Sequence, residues 1–440
     1  MYNTYSQEVK KAKIIAIKKS IHYQSLKRFD VLCIGNKDKL IFPVESGSED
    51  IRYYVYIMCS NNPEIMVFRP SLSEFQHFSR YIELMESKGA HKAGVAKIIP
   101  PSEWTPRRKS YDENDIMSLK IPNPIYQDVQ GDEGMYQQFR RGKKTMTVRK
   151  FKNLAESEEY KTPEHTDYKD LERIYWENIV CHTPIYGADV TGSLTDKDVK
   201  AWNMNRLDTI LDVMNDTTIE GVNTPYLYFG MWKSTFAWHT EDMDLYSLNY
   251  VHVGYPKTWY AIPPQYGQIF EKLLDQIYPA ETSSCPAYVR HKTIVLSPEI
   301  LKKHSIPFNT ITQEPGEFIV TFPFGYHAGF NQGYNIAEAI NFATPRWVEY
   351  GKKTIYCRCF GEPININMDI FVRRIQPDKY PLWLKRNDIG PRLEYHDKRD
   401  GSGKRSVKKR KCSLNENDND KILKLVLYRI HPYKIVNDLD

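Results

Sequence analysis

No stretch of the 440 residues stays apolar for the roughly 20 positions that a membrane-spanning helix needs. The start, Met1-Tyr-Asn-Thr-Tyr-Ser, is too polar for a secretory leader. Cysteine is scarce: seven residues, an odd number scattered along the chain. That argues against a disulfide framework and for a reducing, intracellular setting. Strong charge of one sign is missing as well. Lys and Arg total 61 against 55 Asp and Glu, a net charge of +6, which fits an acidic partner but does not demand one. No internal repeat is visible. What is present is ordinary for a soluble protein: 41% hydrophobic and 26% charged residues, enough for a large core with appendages or for two or three units. An aromatic share of 13%, with 31 tyrosines, leans towards β-structure and amphipathic pockets.

Along the chain, residues 1–64 begin basic and then give short apolar runs, Asp30-Val-Leu-Cys-Ile-Gly and Tyr53-Tyr-Val-Tyr-Ile-Met, that fit a few strands or a loose extension without an evident task. Ser71-Leu-Ser-Glu74 is a capping box, followed at helical spacing by Leu72, Phe75, Phe78, Ile82 and Met85 and stopped at Gly89. A strand ended by prolines follows at 93–101, and helical segments are expected near 147–158, 168–177 and 265–274. Between 185 and 345, short strand-like runs alternate with Gly and Pro turns, the pattern of a sandwich or jelly-roll barrel. Past 390 come a polar linker, the basic cluster Lys408-Lys-Arg-Lys411 and an acidic run. The cluster reads as a nuclear-import signal or as a solvated tail.

The chemistry centres on Phe236-Ala-Trp-His-Thr-Glu-Asp-Met and Gly325-Tyr-His-Ala-Gly. In a strand, side chains at i and i+2 share a face, so His239 and Glu241 can grip one metal together. His327, from a distant strand, would complete a face of two histidines and one carboxylate with open positions, an arrangement that favours non-heme Fe(II). Asp242 should point to the other side. A bare His-x-Glu is more often a packed imidazole beside a solvated carboxylate. The sequence around it reverses that reading.

Phe68-Arg-Pro and Lys88-Gly-Ala-His-Lys-Ala-Gly, within 66–107, resemble a JmjN domain. Glu220-Gly-Val-Asn-Thr-Pro-Tyr-Leu-Tyr-Phe-Gly-Met-Trp and His239-Thr-Glu-Asp-Met-Asp-Leu-Tyr-Ser, within 175–345, resemble a JmjC domain. The pair is similar to the fourth subfamily of JmjC histone lysine demethylases, in a short form without plant-homeodomain or Tudor modules. The resemblance implies a mainly β fold with α additions, a double-stranded β-helix (jelly-roll, cupin-like) barrel with the JmjN helix–strand region packed on it. Residues 1–64 would then be an extension, 108–174 a helical linking region, 346–390 a zinc-clamped segment and helix, and 391–440 a flexible tail.

By the same resemblance, His239, Glu241 and His327 hold Fe(II). Lys257 takes the distal carboxylate of 2-oxoglutarate, helped by Tyr186, Asn249 and Lys292, and a charge-assisted pair inside a barrel is a strong one. Gly221, Tyr228, Glu241, Ala339 and Asn341 line a methylammonium pocket. Asp189, Glu220 and Tyr226 contact the histone. At 339–340 the chain reads Ala-Ile where some members carry Ser-Thr, which leaves the trimethyl and dimethyl preference open. Cys285, His291, Cys357 and Cys359 match a structural zinc site; without the resemblance Cys-Arg-Cys is more readily a pair of buried thiols. The implied reaction uses dioxygen to remove methyl groups from lysines nine and thirty-six of histone H3, with formaldehyde, succinate and carbon dioxide as products. Chromatin in the nucleus would be the partner, with neither membrane nor sequence-specific DNA involved. A non-catalytic histone-binding jelly roll, or a protein hydroxylase of the same fold, stays open as an alternative.

Overall fold

The structure, a computed structural model, describes residues 62–214, 217–355, 357–359 and 364–385, and the strands Lys39–Glu45, Arg52–Cys59 and Leu423–Tyr428. The chain divides into two compact units, one of residues 1–61 with 395–440 and one of 62–394. In the first unit the three outlying strands form an antiparallel sheet with Arg52–Cys59 in the middle. The apolar run at 53–58 is therefore a strand, and so is part of the stretch whose composition reads as a tail. The run at 30–35 and the basic cluster at 408–411 lie outside the described residues.

In the second unit two sheets are woven by hairpins that cross from one to the other. Tyr226–Gly230 belongs to a ten-stranded sheet and Thr235–His239 to a four-stranded one; the same crossing recurs from Tyr246–Gly254 to Lys257–Ile262, from Asn309–Gln313 to Phe318–Thr321, and from Tyr326–Asn331 to Asn335–Phe342. That winding is the double-stranded β-helix expected of a jelly roll. The crossings are tight. Gly254 sits at φ +100, and a Cβ there would lie 2.2 Å from the Tyr334 carbonyl oxygen, so only glycine fits the corner before Lys257.

Residues 62–105 are part of this framework. The capping box forms: the Ser71 amide donates to Glu74 Oε2 at 2.8 Å and the Glu74 amide to Ser71 Oγ at 3.4 Å. The single helix expected behind it is two, Leu72–Phe75 and Phe78–Ser87, broken where His77 turns extended. Phe75, Phe78, Ile82 and Met85 of the expected stripe are buried, while Leu72 stays exposed. Phe75 stacks on Trp202 at 4.5 Å between ring centroids and meets Trp104 and Phe318 edge-on or tilted, while Phe78 abuts Phe342. Val95–Ile98 then pairs antiparallel with Phe318–Thr321, covering what would be an open sheet edge.

The region 108–174 corrects the sequence reading. It holds the helix Val148–Ala155, capped by Thr147, and Tyr168–Glu177, capped by Asp167, follows at its end. Between them and residue 108, however, Ile125–Asp132 and Met135–Gly142 form a hairpin that extends the large sheet. Its turn is the two residues Glu133 and Gly134, both at positive φ. The strands are polar on both sides, which hides them from a search for alternating hydrophobicity. No helix among the described residues is long and apolar enough to cross a membrane.

Phe75 is fully buried at the centre of the aromatic cluster that joins the N-terminal helices to the barrel. Phe75→Ala should therefore cost about 3–5 kcal/mol of stability, read from urea unfolding of the full chain.

Candidate active site and metal centres

His239 is the last residue of its strand, and the register places it directly opposite His327 in Tyr326–Asn331. Glu241 lies two residues past the strand's end and not within it, as an i, i+2 strand pair would require. Its backbone stays extended, at φ −62 and ψ 153, so the alternation carries on and the carboxylate reaches 3.3 Å from His327 Nε2. One ligand atom from each of the three side chains lies within 4.8 Å of the others.

Each imidazole is oriented from behind. His239 Nδ1 donates to the Ala237 carbonyl at 2.7 Å, and His327 Nδ1 to the Gly325 carbonyl at 3.0 Å. A carbonyl only accepts, so in the neutral form of each ring Nε2 is the lone pair that a metal ion would take. Asn341 Nδ2 holds the other carboxylate oxygen at 3.0 Å and the Tyr246 carbonyl at 3.0 Å. Burial, then the neighbouring His327 and Lys292, push the His239 pKa well below its ordinary value. Burial would raise Glu241, but the His327 hydrogen bond and the charges of His327, His239 and Lys292 outweigh it and leave its pKa well below the usual carboxylate range. Lone-pair nitrogens with an anionic oxygen are the protonation states a divalent cation requires. Three donors, not four, leave coordination positions for other ligands.

Beside this cluster lies a buried cation without a counter-ion. Lys257 is 1% exposed, and among the described residues no carboxylate comes within ion-pair reach. Its ammonium donates to Asn331 Oδ1 and sits 5.7 Å from the centroid of the Tyr186 ring. Burial pulls its pKa down to about 7. Nearby Asn249 Oδ1 is buried with no hydrogen-bond partner. The Tyr186 phenol is raised by burial, its hydrogen bond with Asn331 acting the other way. Tyr186 and Tyr228 lie 6.2 Å apart by centroid, and burial, then Asp189, Tyr186 and Glu241, raise the Tyr228 phenol. The aromatic pair thus reaches from Lys257 to within electrostatic range of Glu241. An unpaired buried ammonium, a phenol and an orphaned amide oxygen fit an anionic ligand that also brings polar hydrogens or an ordered water.

On the outer side, Gly221 has φ +74, and a Cβ there would strike the Tyr226 ring at 2.3 Å. Tyr226 is paired in register with Ala339, and the Asn341 amide donates to the Val222 carbonyl. Gly221, Tyr226, Ala339 and Asn341 are therefore one wall. Asp189 and Glu220 are exposed beside it. Lys292 is at φ +55 with Nζ 3.3 Å from Asp242; burial opposes its charge, but Asp242, Glu241 and Asp189 raise its pKa.

Cys285, His291, Cys357 and Cys359 form a second cluster, again with ligand atoms within 4.8 Å of one another. Cys285 Sγ is 3.7 Å from Cys357 Sγ, His291 Nε2 is 3.1 Å from the same sulfur, and the Cys359 amide donates to it at 3.1 Å. Three thiols and an imidazole make a complete tetrahedral set. Cys181 stands apart as an exposed thiol. Two residues central to these sites carried no sequence signal. Asn331 bonds Lys257, Ser234 and Asn335, and Arg290 bonds the Glu241 carbonyl, Asp244 and Thr354. Register across strands reveals the first, since Asn331 is the partner of Lys257. The two clusters should load metal independently: Cys357→Ser is expected to lower metal content by one ion per chain, and His239→Ala to leave that ion in place, as measured by inductively coupled plasma mass spectrometry.

Comparison with known proteins agrees with this geometry. The family described as "JmjC domain, hydroxylase" matches residues 226–342, and the jmjN domain family matches 66–100. The chain is 55% identical over 348 residues to lysine-specific demethylase 4B of Mus musculus, covering 78% of this chain and 31% of that protein. It is 53% identical over 335 residues to lysine-specific demethylase 4D of Rattus norvegicus, covering 75% of this chain and 65% of that protein. It thus spans less than two thirds of the length of either relative. The chain is a JmjN- and JmjC-containing homologue of the lysine-specific demethylase 4 proteins.

Proposed function

We propose that this chain is a nuclear Fe(II)- and 2-oxoglutarate-dependent oxygenase that demethylates trimethyl- and dimethyl-lysine on histone H3, at lysines nine and thirty-six. The observation that carries the reading is a three-donor metal face and, reached across Tyr228 and Tyr186, a buried lysine without a counter-ion. Fe(II) with 2-oxoglutarate and dioxygen supplies the oxidising power when bound, with succinate, carbon dioxide and formaldehyde as products.

The chain's own part is positioning and electrostatics. His239, Glu241 and His327 would hold the iron. Lys257, with Tyr186 and Asn249, would take the carboxylate of 2-oxoglutarate distant from it, and that ligand would supply the charge the ammonium lacks. Lys292, tied to Asp242, adds a cation at the rim. Gly221, Tyr228, Glu241, Ala339 and Asn341 would surround the methylated ammonium, whose hydrogens are drawn to phenol, carboxylate and amide oxygens. Glycine is needed at 221 because the Tyr226 ring occupies the space of a side chain. Asp189, Glu220 and Tyr226 would receive the flanking peptide. The Cys285, His291, Cys357 and Cys359 set would hold structural Zn(II).

Mass spectrometry of methylated H3 peptides incubated with the chain, iron, 2-oxoglutarate and ascorbate tests the reading. Loss of methyl mass is expected, and abolished by His239→Ala. A gain of one oxygen mass instead would make the chain a hydroxylase, and no change with metal bound would make it a binding module.

Lys257 gives a pH dependence whose sign is fixed. Its folded value of about 7 lies below the ordinary lysine value, so the ligand-free chain loses this charge as pH rises through 7. A carboxylate binds the charged form. Affinity for 2-oxoglutarate under anaerobic conditions with Fe(II) should fall about tenfold per pH unit above about pH 7, until the pKa of the complex is reached. Isothermal titration across that range should show the slope, and Lys257→Met should bind weakly and without it.

A further inference from the structure

Between Met135 and Ala155 the chain carries Arg140, Arg141, Lys143, Lys144, Arg149, Lys150 and Lys152, and no Asp or Glu. Seven cations in that stretch exceed the surplus of the whole chain, 61 − 55 = 6. The fold gathers them. The strand Met135–Gly142 runs out into Lys143 and Lys144, then a two-residue strand, then the helix Val148–Ala155. Lys120 faces Thr147 across that short strand, the Lys143 amide donates to the Pro124 carbonyl, and the Lys150 amide to the capping Thr147 hydroxyl.

We propose that this surface, from Lys120 through Lys143 and Lys144 to Arg149 and Lys150, docks on the phosphate backbone of duplex DNA. The first turn of the helix has no acidic residue and carries Arg149 and Lys150 instead. Cations there oppose the positive end of the helix dipole, an arrangement that an external anion relieves. Two nearby carboxylates are already engaged: Asp128 holds Arg141 and Asp112 holds Lys152. Among the described residues, Lys120, Lys143, Lys144, Arg149 and Lys150 make no ion pair with a carboxylate. Arg149 reaches only Asn114 Oδ1, and Lys143 lies 4.3 Å from the Tyr126 ring centroid. The charges are spread over a strand end, a connection and a helix turn instead of converging on one point, which suits a row of phosphates better than a single small anion. An acidic protein would be expected to seat a buried apolar anchor, and the large exposed apolar side chain on this hairpin is Phe139 alone. Arg140, earlier on the same strand, donates from Nη2 to the Lys292 carbonyl at 3.1 Å, so that strand also reaches the rim of the candidate active site.

The test is fluorescence anisotropy of the full chain on a mixed-sequence duplex of about 30 base pairs, titrated with salt. Comparing the logarithm of affinity with that of salt concentration, the variant K143A/K144A/K150A should lower the slope by about 3 relative to the parent, roughly 0.9 per lost phosphate contact, with weaker binding at every salt concentration. The variant K302A/K303A, elsewhere on the surface, should match the parent. If the triple variant melts early by circular dichroism, Lys144→Ala and Lys150→Ala taken singly should each remove about one from the slope. An unchanged slope and affinity in a folded variant overturns the proposal. So does a loss confined to binding of polyglutamate, which would assign the surface to an acidic protein.

Discussion

The metal face depends on one irregularity in strand pairing. Thr235 and Phe236 pair with Phe330 and Gly329, but His239 pairs with His327, so one extra residue sits in the 235–239 strand between Phe236 and His239. Carried on without that bulge, the register would set His239 against Tyr326, and the two imidazoles would fall on opposite faces. Gly329 makes the arrangement possible. A Cβ there would lie 2.0 Å from the Thr258 carbonyl oxygen and 2.4 Å from the Phe236 ring. The glycine of Gly325-Tyr-His-Ala-Gly therefore serves the metal face by letting the neighbouring strand and the Phe236 ring close in, and the histidine two residues before it takes the correct side.

The same barrel holds a second irregularity, a lysine buried without a counter-ion among the described residues. Burying Lys257 away from every described carboxylate disfavours its charged form, and the low pKa follows from that alone. The unfolded chain keeps this proton to higher pH than the folded one does. Folding is therefore opposed at and below neutrality and relieved as pH rises through 7 towards the ordinary lysine value. Stability and anion binding pull on the residue in opposite directions. Asn331 moderates the conflict: it offers the ammonium one oxygen while its amide nitrogen is spent on Ser234. A fully satisfied lysine here would give a firmer barrel and a poorer anion site.

What could be read from sequence was what is local. The capping box at Ser71, the helix Tyr168–Glu177, the stop at Gly89 and the strands of the barrel all rest on neighbouring residues, and the structure has them. The imidazoles and Glu241 were legible as residue types, and the family resemblance grouped them, but Glu241 was expected inside a strand and lies beyond its end. The break at His77 carries no glycine or proline to announce it. The hairpin at 125–142 is polar even where it is buried, since Gln127 and Gln138 bond the Thr235 backbone, so its strands show no apolar alternation. Asn331 and Arg290 owe their importance to partners 74 and 49 residues away, which no local pattern encodes.

Arg290 shows how the two clusters share one mechanical frame. Past Glu241 the chain turns through Met243 at φ +57 and Asp244 at φ +50, left-handed conformations that cost about 1–3 kcal/mol each for residues with side chains. Such a turn persists only if its surroundings hold it. Thr240 donates to Asp244 Oδ1, Trp347 Nε1 to the Met243 carbonyl, and Arg290 to the Glu241 carbonyl and Asp244 together. Arg290 immediately precedes His291 of the Cys/His set and also bonds Thr354, three residues before Cys357. A metal ion joining His291 to Cys357 would therefore fix both ends of the span that grips the Glu241 turn. With that span fixed, the carboxylate's position is set by the backbone behind it and not only by the ion in front.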